Sequence, residues 1–367
     1  MPSDLLKRFG RITSSTTYLP EVDGLRFLAI FSVVAIMHIP HYLDEKFFGN
    51  RLTEDSYWGS FFFGGGSGVP LFFMISGFIL SLPFARWHMQ AKERVSLKRY
   101  YLRRLARLEP PYLIVLLILF AAQVWLMDMY GFRELLPHLL ASAVYLHTLV
   151  YHSFSLVLPV AWSLEVEVQF YLLAPLFFLL FRIRNVVLRR SILLVIILAG
   201  IVWWFDDWGL PHLFKFLHFF FMGMLLADLH SNGYALFRNR ALGLTVGLVS
   251  LAVYFFLHRF HYFPTYFLHI ASMFFLFHSV LANGTMKKLF SLKGFALIGG
   301  MCYSIYLLHF AVISAVGQLM SFKIEGPVEA IAAGLVLAVS VLLVSAVFFL
   351  LVEKPFMRTA ISGRAKA

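Results

Sequence analysis

Residues 328–352 read VEAIAAGLVLAVSVLLVSAVFFLLV, 25 positions with one ionisable side chain, Glu329. A helix rising about 1.5 Å per residue needs about 20 mostly apolar residues to cross the hydrocarbon core of a bilayer. A surface helix of a soluble protein would carry a polar face, and this run has none. It reads as a membrane span. Nine further runs read the same way, at 22–40, 60–84, 110–128, 160–181, 191–206, 211–229, 241–257, 265–282 and 296–319. Hydrophobic residues make up 60% of the 367 and charged residues 14%, with 41 phenylalanines and a mean hydropathy of +0.79. Ordinary globular chains have about 45–50% and about 25%. Disorder, a fibrous repeat and a conventional soluble fold are excluded. The expected fold class is all-α polytopic membrane protein, with about ten transmembrane helices in one integral-membrane domain over residues 1–367.

The basic residues orient these spans. One side collects Lys7, Arg8, Arg11, the eight between Arg86 and Arg107, and Arg182, Arg184, Arg189, Arg190, Arg238, Arg240, Lys287, Lys288, Lys293, Lys354, Arg358, Arg364 and Lys366. The other side holds Lys46, Arg51, Arg133, Arg259 and Lys323. An asymmetry of 24 to 5 predicts both termini in the cytoplasm, because Lys and Arg concentrate in cytoplasmic loops. The apolar segment 138–150 is too short for a span, and a crossing there would reverse everything after it; it is expected to be a re-entrant or surface helix. Several outer loops are acidic, with Asp44, Glu45, Glu54, Asp55, Asp206 and Asp207. A cytoplasmic basic loop is expected over 85–109, carrying an amphipathic helix that lies at the interface. The net charge of +12 then reports membrane topology rather than nucleic-acid binding. The single cysteine, Cys302, allows no intrachain disulfide. No secretory cleavage pattern follows the first apolar run, so it is expected to remain as a span.

Ionisable groups inside spans are costly and mark candidate sites. Arg26 lies near the cytoplasmic end of the first span and His38 toward its outer half. A neutral imidazole can take a proton from a hydroxyl or attack a thioester; it equally serves as a hydrogen bond between helices. The fourth span opens with Trp162-Ser163-Leu164-Glu165-Val166-Glu167. Glu167 and Tyr171 share a helical face and Glu165 points elsewhere, so each carboxylate is a candidate for chemistry or for an ion pair. In the ninth span Tyr303, Tyr306 and His309 recur at intervals of three, facing either a cavity or a neighbouring helix. Arg104 and Arg107 share a face and suit phosphate oxygens, whether of a soluble cofactor or of anionic lipid. Gly64-Gly65-Gly66-Ser67-Gly68 lacks the Gly-Lys-Ser/Thr of a phosphate loop, and is expected to let the second span bend or pack closely. No zinc-ligand spacing or dinucleotide fingerprint occurs.

Together these segments resemble the acyltransferase-3 family of integral-membrane O-acyltransferases. The resemblance runs in order through Asp23-Gly24-Leu25-Arg26 with His38 and through Leu71-Phe72-Phe73-Met74-Ile75-Ser76-Gly77-Phe78. It continues with Arg104 and Arg107 before Pro110-Pro111-Tyr112, then Trp162-Ser163-Leu164 with Glu167, Gln169, Phe170 and Tyr171. Tyr303-Ser304-Ile305-Tyr306-Leu307-Leu308-His309 and Glu353-Lys354-Pro355-Phe356 complete it. Two departures stand out. Eleven residues separate Arg26 from His38, one more than in the family pattern, and twelve steps of about 100° leave the pair roughly 120° apart on an ideal helix. Sharing a face then requires either a π-bulge between Phe27 and Met37, with Ser32 placed to satisfy a freed carbonyl, or an Arg26 that precedes the first regular turn. The acidic pair also departs, with Glu165 two residues before Glu167 and not beside it.

The resemblance implies an acyl-CoA-dependent O-acyltransferase of the bacterial inner membrane, moving an acyl group, in the first instance acetyl, to a hydroxyl of a cell-envelope saccharide or glycolipid. It implies His38, Arg26 and Glu167 as catalytic, with His38 a general base or transient acyl carrier. Arg104 and Arg107 would bind acyl-CoA, and Asp23, Trp162, Tyr171, Tyr303, Tyr306 and His309 would support substrate or structure. No metal, nucleic-acid partner or appended soluble domain is expected. The rival class is a proton-coupled permease for a small anion or lipid, using Glu167, His38 and His309 as a relay. Such a permease should show internal repeats, and none is evident.

Overall fold

The computed structural model describes residues 18–53, 56–204, 209, 211–257, 263–320, 324 and 326–362. Lys7, Arg8, Arg11, Glu54, Asp55, Asp206, Asp207, Arg259, Lys323, Arg364 and Lys366, used above for orientation, lie outside the described residues. Among the described residues there is no strand. Helices α1 (Pro20–Phe48), α2 (Tyr57–Gln90), α3 (Leu97–Leu126), α6 (Pro159–Arg182), α7 (Val186–Trp203), α8 (Leu213–Ser231), α10 (Phe263–Ala282), α13 (Cys302–Leu319) and α14 (Pro327–Arg358) are long and apolar enough to cross a membrane. The protein is a multi-pass membrane protein. The remaining expected span is α9 (Arg240–Phe256), whose 17 residues reach about 26 Å. Segment 138–150 divides between α4 (Phe132–Ala143) and α5 (His147–Tyr151), each too short to cross. Two short helices, α11 (Gly284–Phe290) and α12 (Lys293–Gly300), precede α13.

Three boundaries differ from expectation. The helix expected in the basic loop 85–109 is not a separate interfacial one: α2 continues through Gln90, and Leu97 already starts α3. Ser96 caps α3 by accepting from the Arg99 N–H at 3.4 Å. The Leu, Lys and Arg after it are strong helix formers, and the helix runs on through Pro110 and Pro111. Arg104 and Arg107 therefore sit on the membrane helix itself. The ninth span begins at Cys302 and not at 296, because Gly299 and Gly300 end α12 and Met301 turns the chain. The last helix continues past 352 through Glu353-Lys354-Pro355.

By contacts the chain forms two compact units. The first comprises residues 1–75 and 233–351, the second 76–232 and 352–367. In the first, α9 packs on α10, α12 on the start of α1, and α13 on α14. Helix α14 shows the logic of a membrane core. Ala333, Leu337, Val341 and Ser345 recur every four residues and are buried, while Ile331, Leu335, Val339 and Leu343 are exposed and suit lipid. In the second unit α7 packs on α8, and residues 354–362 pack on the first part of α3. Arg189 and Arg190, counted above as loop residues, both bind the fully buried Asp228 of α8.

Candidate functional site

Pro20 begins α1, where its missing N–H costs nothing, and Glu21 and Asp23 in the first turn suit the positive end of the helix. From Ser32 to His38 the helix is π-helical. Each residue of such a segment turns the chain by less than the α-helical 100°, so the extra residue is absorbed there. Ser32 donates to the Leu28 carbonyl at 2.9 Å, and the buried Tyr254 hydroxyl donates to Ser32 Oγ at 2.9 Å. The Gly64–Ser67 turn, a tight 3₁₀ stretch, packs against this segment. A Cβ on Gly65 would lie 2.5 Å from the Ser32 carbonyl oxygen and 2.8 Å from the Met37 nitrogen. Glycine is what permits that approach.

The π segment ends on His38, whose Nδ1 lies 2.7 Å from Nε2 of His309 on α13. The two rings stack with centroids 4.8 Å apart, and Phe310 meets His38 edge-on at 5.9 Å. His309 is fully buried, with Nδ1 2.7 Å from the Tyr306 carbonyl and 3.2 Å from that of Ile305. Tyr306 and Tyr303 are buried on the same helix, the Tyr306 ring 5.9 Å from that of His309. His41 bonds back to the Met37 carbonyl at 2.7 Å and meets Phe63 edge-on.

Arg26 is paired with the buried Asp23, which also accepts from Tyr18 at 2.9 Å. Arg26 and His38 are twelve helical residues apart, which separates them by well over about 10 Å along the axis even with the shorter rise of the π segment. Arg26 and His38 hold different partners at that separation, so they cannot act on the same atom. Nearby Glu21, fully buried, pairs with Lys287 at 2.9 Å.

In the second unit Glu167 of α6 accepts from the Ser76 hydroxyl and from Tyr171 one turn on. Arg104 lies over the Tyr171 ring at 5.8 Å, a cation–π distance, and Tyr100 donates to the Tyr171 carbonyl at 3.3 Å. Arg107, one turn along α3, is half-buried. Trp162 packs on Phe216 at the start of α6, and Gln169 accepts from the Leu213 N–H at 3.1 Å. Glu165 turns away from this group and accepts from the Thr148 N–H at 2.9 Å, which ties α6 to α5.

The spacing puts Glu167 and Tyr171 on one face of α6, where they meet, but three features have no such signal. The His38–His309 bond spans 271 positions and has no local signal. Ser76, a hydroxyl in the apolar run Met74–Phe78, needs a partner and finds it in Glu167. A second imidazole pair, His138 Nδ1 and His147 Nε2 at 2.8 Å, lies in the second unit beside Tyr151. Burial pushes the His147 imidazole below its usual pKa, as does neighbouring His138, against a bond to the Ser153 carbonyl that raises it.

The family model Acyl_transf_3, described as an acyltransferase domain, matches residues 19–350. The chain is similar to the peptidoglycan O-acetyltransferase OatA of Listeria monocytogenes, at 29% identity over 206 residues, 52% of this chain and 29% of that protein. It is also similar to the O-acetyltransferase OatA of Staphylococcus aureus, at 26% identity over 347 residues, 86% of this chain and 53% of that protein. The chain thus spans about half or less of the length of these relatives. No solved structure matches it.

Proposed function

The chain belongs to the acyltransferase-3 family, and from that premise we propose that it is a membrane O-acetyltransferase acting on a hydroxyl of a cell-envelope saccharide, with cytoplasmic acetyl-CoA as donor, in a bacterial inner membrane with both termini cytoplasmic. The names of the OatA relatives support the reaction and the saccharide class. The observation that carries the reading is the imidazole of His38, set on a π segment of a membrane helix and joined to a second imidazole. As general base, His38 takes the acceptor hydroxyl's proton while that oxygen attacks the thioester carbonyl. The tetrahedral intermediate then expels the CoA thiolate, which recovers the proton from the imidazolium. Positioned bases of this kind contribute about 10²–10⁴ in rate.

Arg104 and Arg107 bind the donor's phosphates, and lipid headgroups are the competing anions. Glu167 holds Tyr171, and Tyr171 presents a face to Arg104, so the carboxylate acts by positioning the donor-binding arginine. Arg26, braced by Asp23, meets anionic donor groups at the cytoplasmic end of α1. Trp162, Tyr303 and Tyr306 supply aromatic surface and hydroxyls to the substrate-binding helices.

The test is acetyl transfer by purified protein in proteoliposomes, with acetyl-CoA outside and a saccharide acceptor supplied, read as CoA release and ester formation. The proposal expects both, and expects both to vanish in His38→Ala. Proton-coupled solute uptake with no CoA release would favour the permease reading.

A further inference from the structure

We propose that His309 is the positioning residue of this site: it fixes His38 in the tautomer whose Nε2 carries the lone pair and so directs the base outward from α13. The inference rests on the proposed acyltransfer reaction and adds to it the group that makes His38 competent.

The argument is one of donors and acceptors. Nδ1 of His309 faces two backbone carbonyls, those of Tyr306 at 2.7 Å and Ile305 at 3.2 Å. A carbonyl oxygen can only accept, so Nδ1 carries the hydrogen. A neutral imidazole has one N–H, which leaves Nε2 of His309 as an acceptor. The group facing that acceptor at 2.7 Å is Nδ1 of His38, which must donate. His38 is then protonated on Nδ1, and its lone pair resides on Nε2.

The competing arrangement puts a proton on both nitrogens of His309 and lets His38 accept. That would place an imidazolium at a fully buried position in a membrane helix bundle, which is costly without a charge partner. The carbonyls involved are those of His309's own helix, three and four residues back, so the lock is built into α13 and needs no other side chain. Orientation is fixed along with tautomer, since the stacked rings hold the His38 plane within 19° of its neighbour. When His38 becomes imidazolium in the reaction, the same bond spreads its new charge onto His309. A buried acidic partner would bind that imidazolium more tightly and resist giving the proton back to the thiolate. A neutral partner leaves the proton mobile.

Two substitutions separate this role from packing. The amide of Gln occupies the place of an imidazole Nε2, whereas the amide of Asn occupies that of Nδ1. His309→Gln keeps an acceptor for His38, and His309→Asn keeps only the bond to the Tyr306 carbonyl. We expect His309→Asn to lower kcat about 10²–10⁴-fold, the range for losing a correctly protonated base, with KM for acetyl-CoA changed less than about threefold. We expect His309→Gln to recover at least about tenfold of that loss. Nitrogen NMR of 15N-histidine-labelled protein in nanodiscs, with the His38 signals assigned by their loss in His38→Ala, should show Nδ1 protonated and Nε2 bare in the unsubstituted protein. The spectrum reads the inference even if a variant folds poorly. Full kcat in His309→Asn, or a His38 protonated on Nε2, would overturn it while a dead His38→Ala left the acyltransfer reading standing. An active His38→Ala would overturn that reading first.

Discussion

Gly65 lies so close to the carbonyl of Ser32 that no larger residue fits without moving the backbone that carries His38. Ser32 opens the π segment and His38 closes it. Gly65→Ala should therefore lower both thermal stability, by about 1–3 kcal/mol of overpacking, and acetyl transfer. Gly66→Ala, whose Cβ would meet only the Met37 thioether at 3.4 Å, is the control and should do neither. Equal effects at both positions would mean the turn, and not its contact with α1, matters.

The Tyr254–Ser32 bond makes a second prediction about the π segment. Ser32→Ala strands a fully buried phenolic hydroxyl and should cost about 1–3 kcal/mol. Tyr254→Phe removes that hydroxyl, so the double variant should be less damaged than the two single losses combined. A thermal-unfolding cycle in detergent with additive losses would show that the pair is not coupled.

Donor binding should depend on Arg104 and Arg107 separately from chemistry. A charged contact to phosphate is worth about 1.5–3 kcal/mol, so either Ala substitution should weaken CoA binding by about one to two orders of magnitude. Glu167→Ala should raise KM for acetyl-CoA more than it lowers kcat, because its carboxylate reaches Arg104 only through Tyr171. Normal CoA binding in both arginine variants, measured by calorimetry in nanodiscs, would assign the pair to lipid headgroups.

Topology is open to direct labelling, since Cys302 is the single cysteine. In a Cys302→Ser background, Arg184→Cys and a cysteine added at the C-terminus should both react from the cytoplasmic side only. Labelling of Arg184→Cys from outside would reverse the orientation drawn from the basic residues.

Much of the fold was legible because a bilayer demands long apolar runs, and most of the described residues in each run are helical. The surplus residue between Arg26 and His38 left two readings, a π-bulge or an Arg26 ahead of the first regular turn, and the structure has a seven-residue π segment with Arg26 inside the helix. Other features were not legible. The span expected from 110 continues a helix that begins at Leu97, under the cap of Ser96. Glu165 shows its part only once folding brings Thr148 to it, and His38 meets His309 only through the packing of α1 and α13. Bonds between distant segments leave no periodic trace in a sequence.

The central claim is that His38 is the base, and acetyl transfer by His38→Ala tests it most directly. Abundance and CoA binding should stay near normal while ester formation on the saccharide falls to background. His41→Ala, one turn beyond, where the imidazole bonds the Met37 carbonyl and meets Phe63 edge-on, should keep most of the activity. Transfer retained in His38→Ala and lost in His41→Ala would contradict the account.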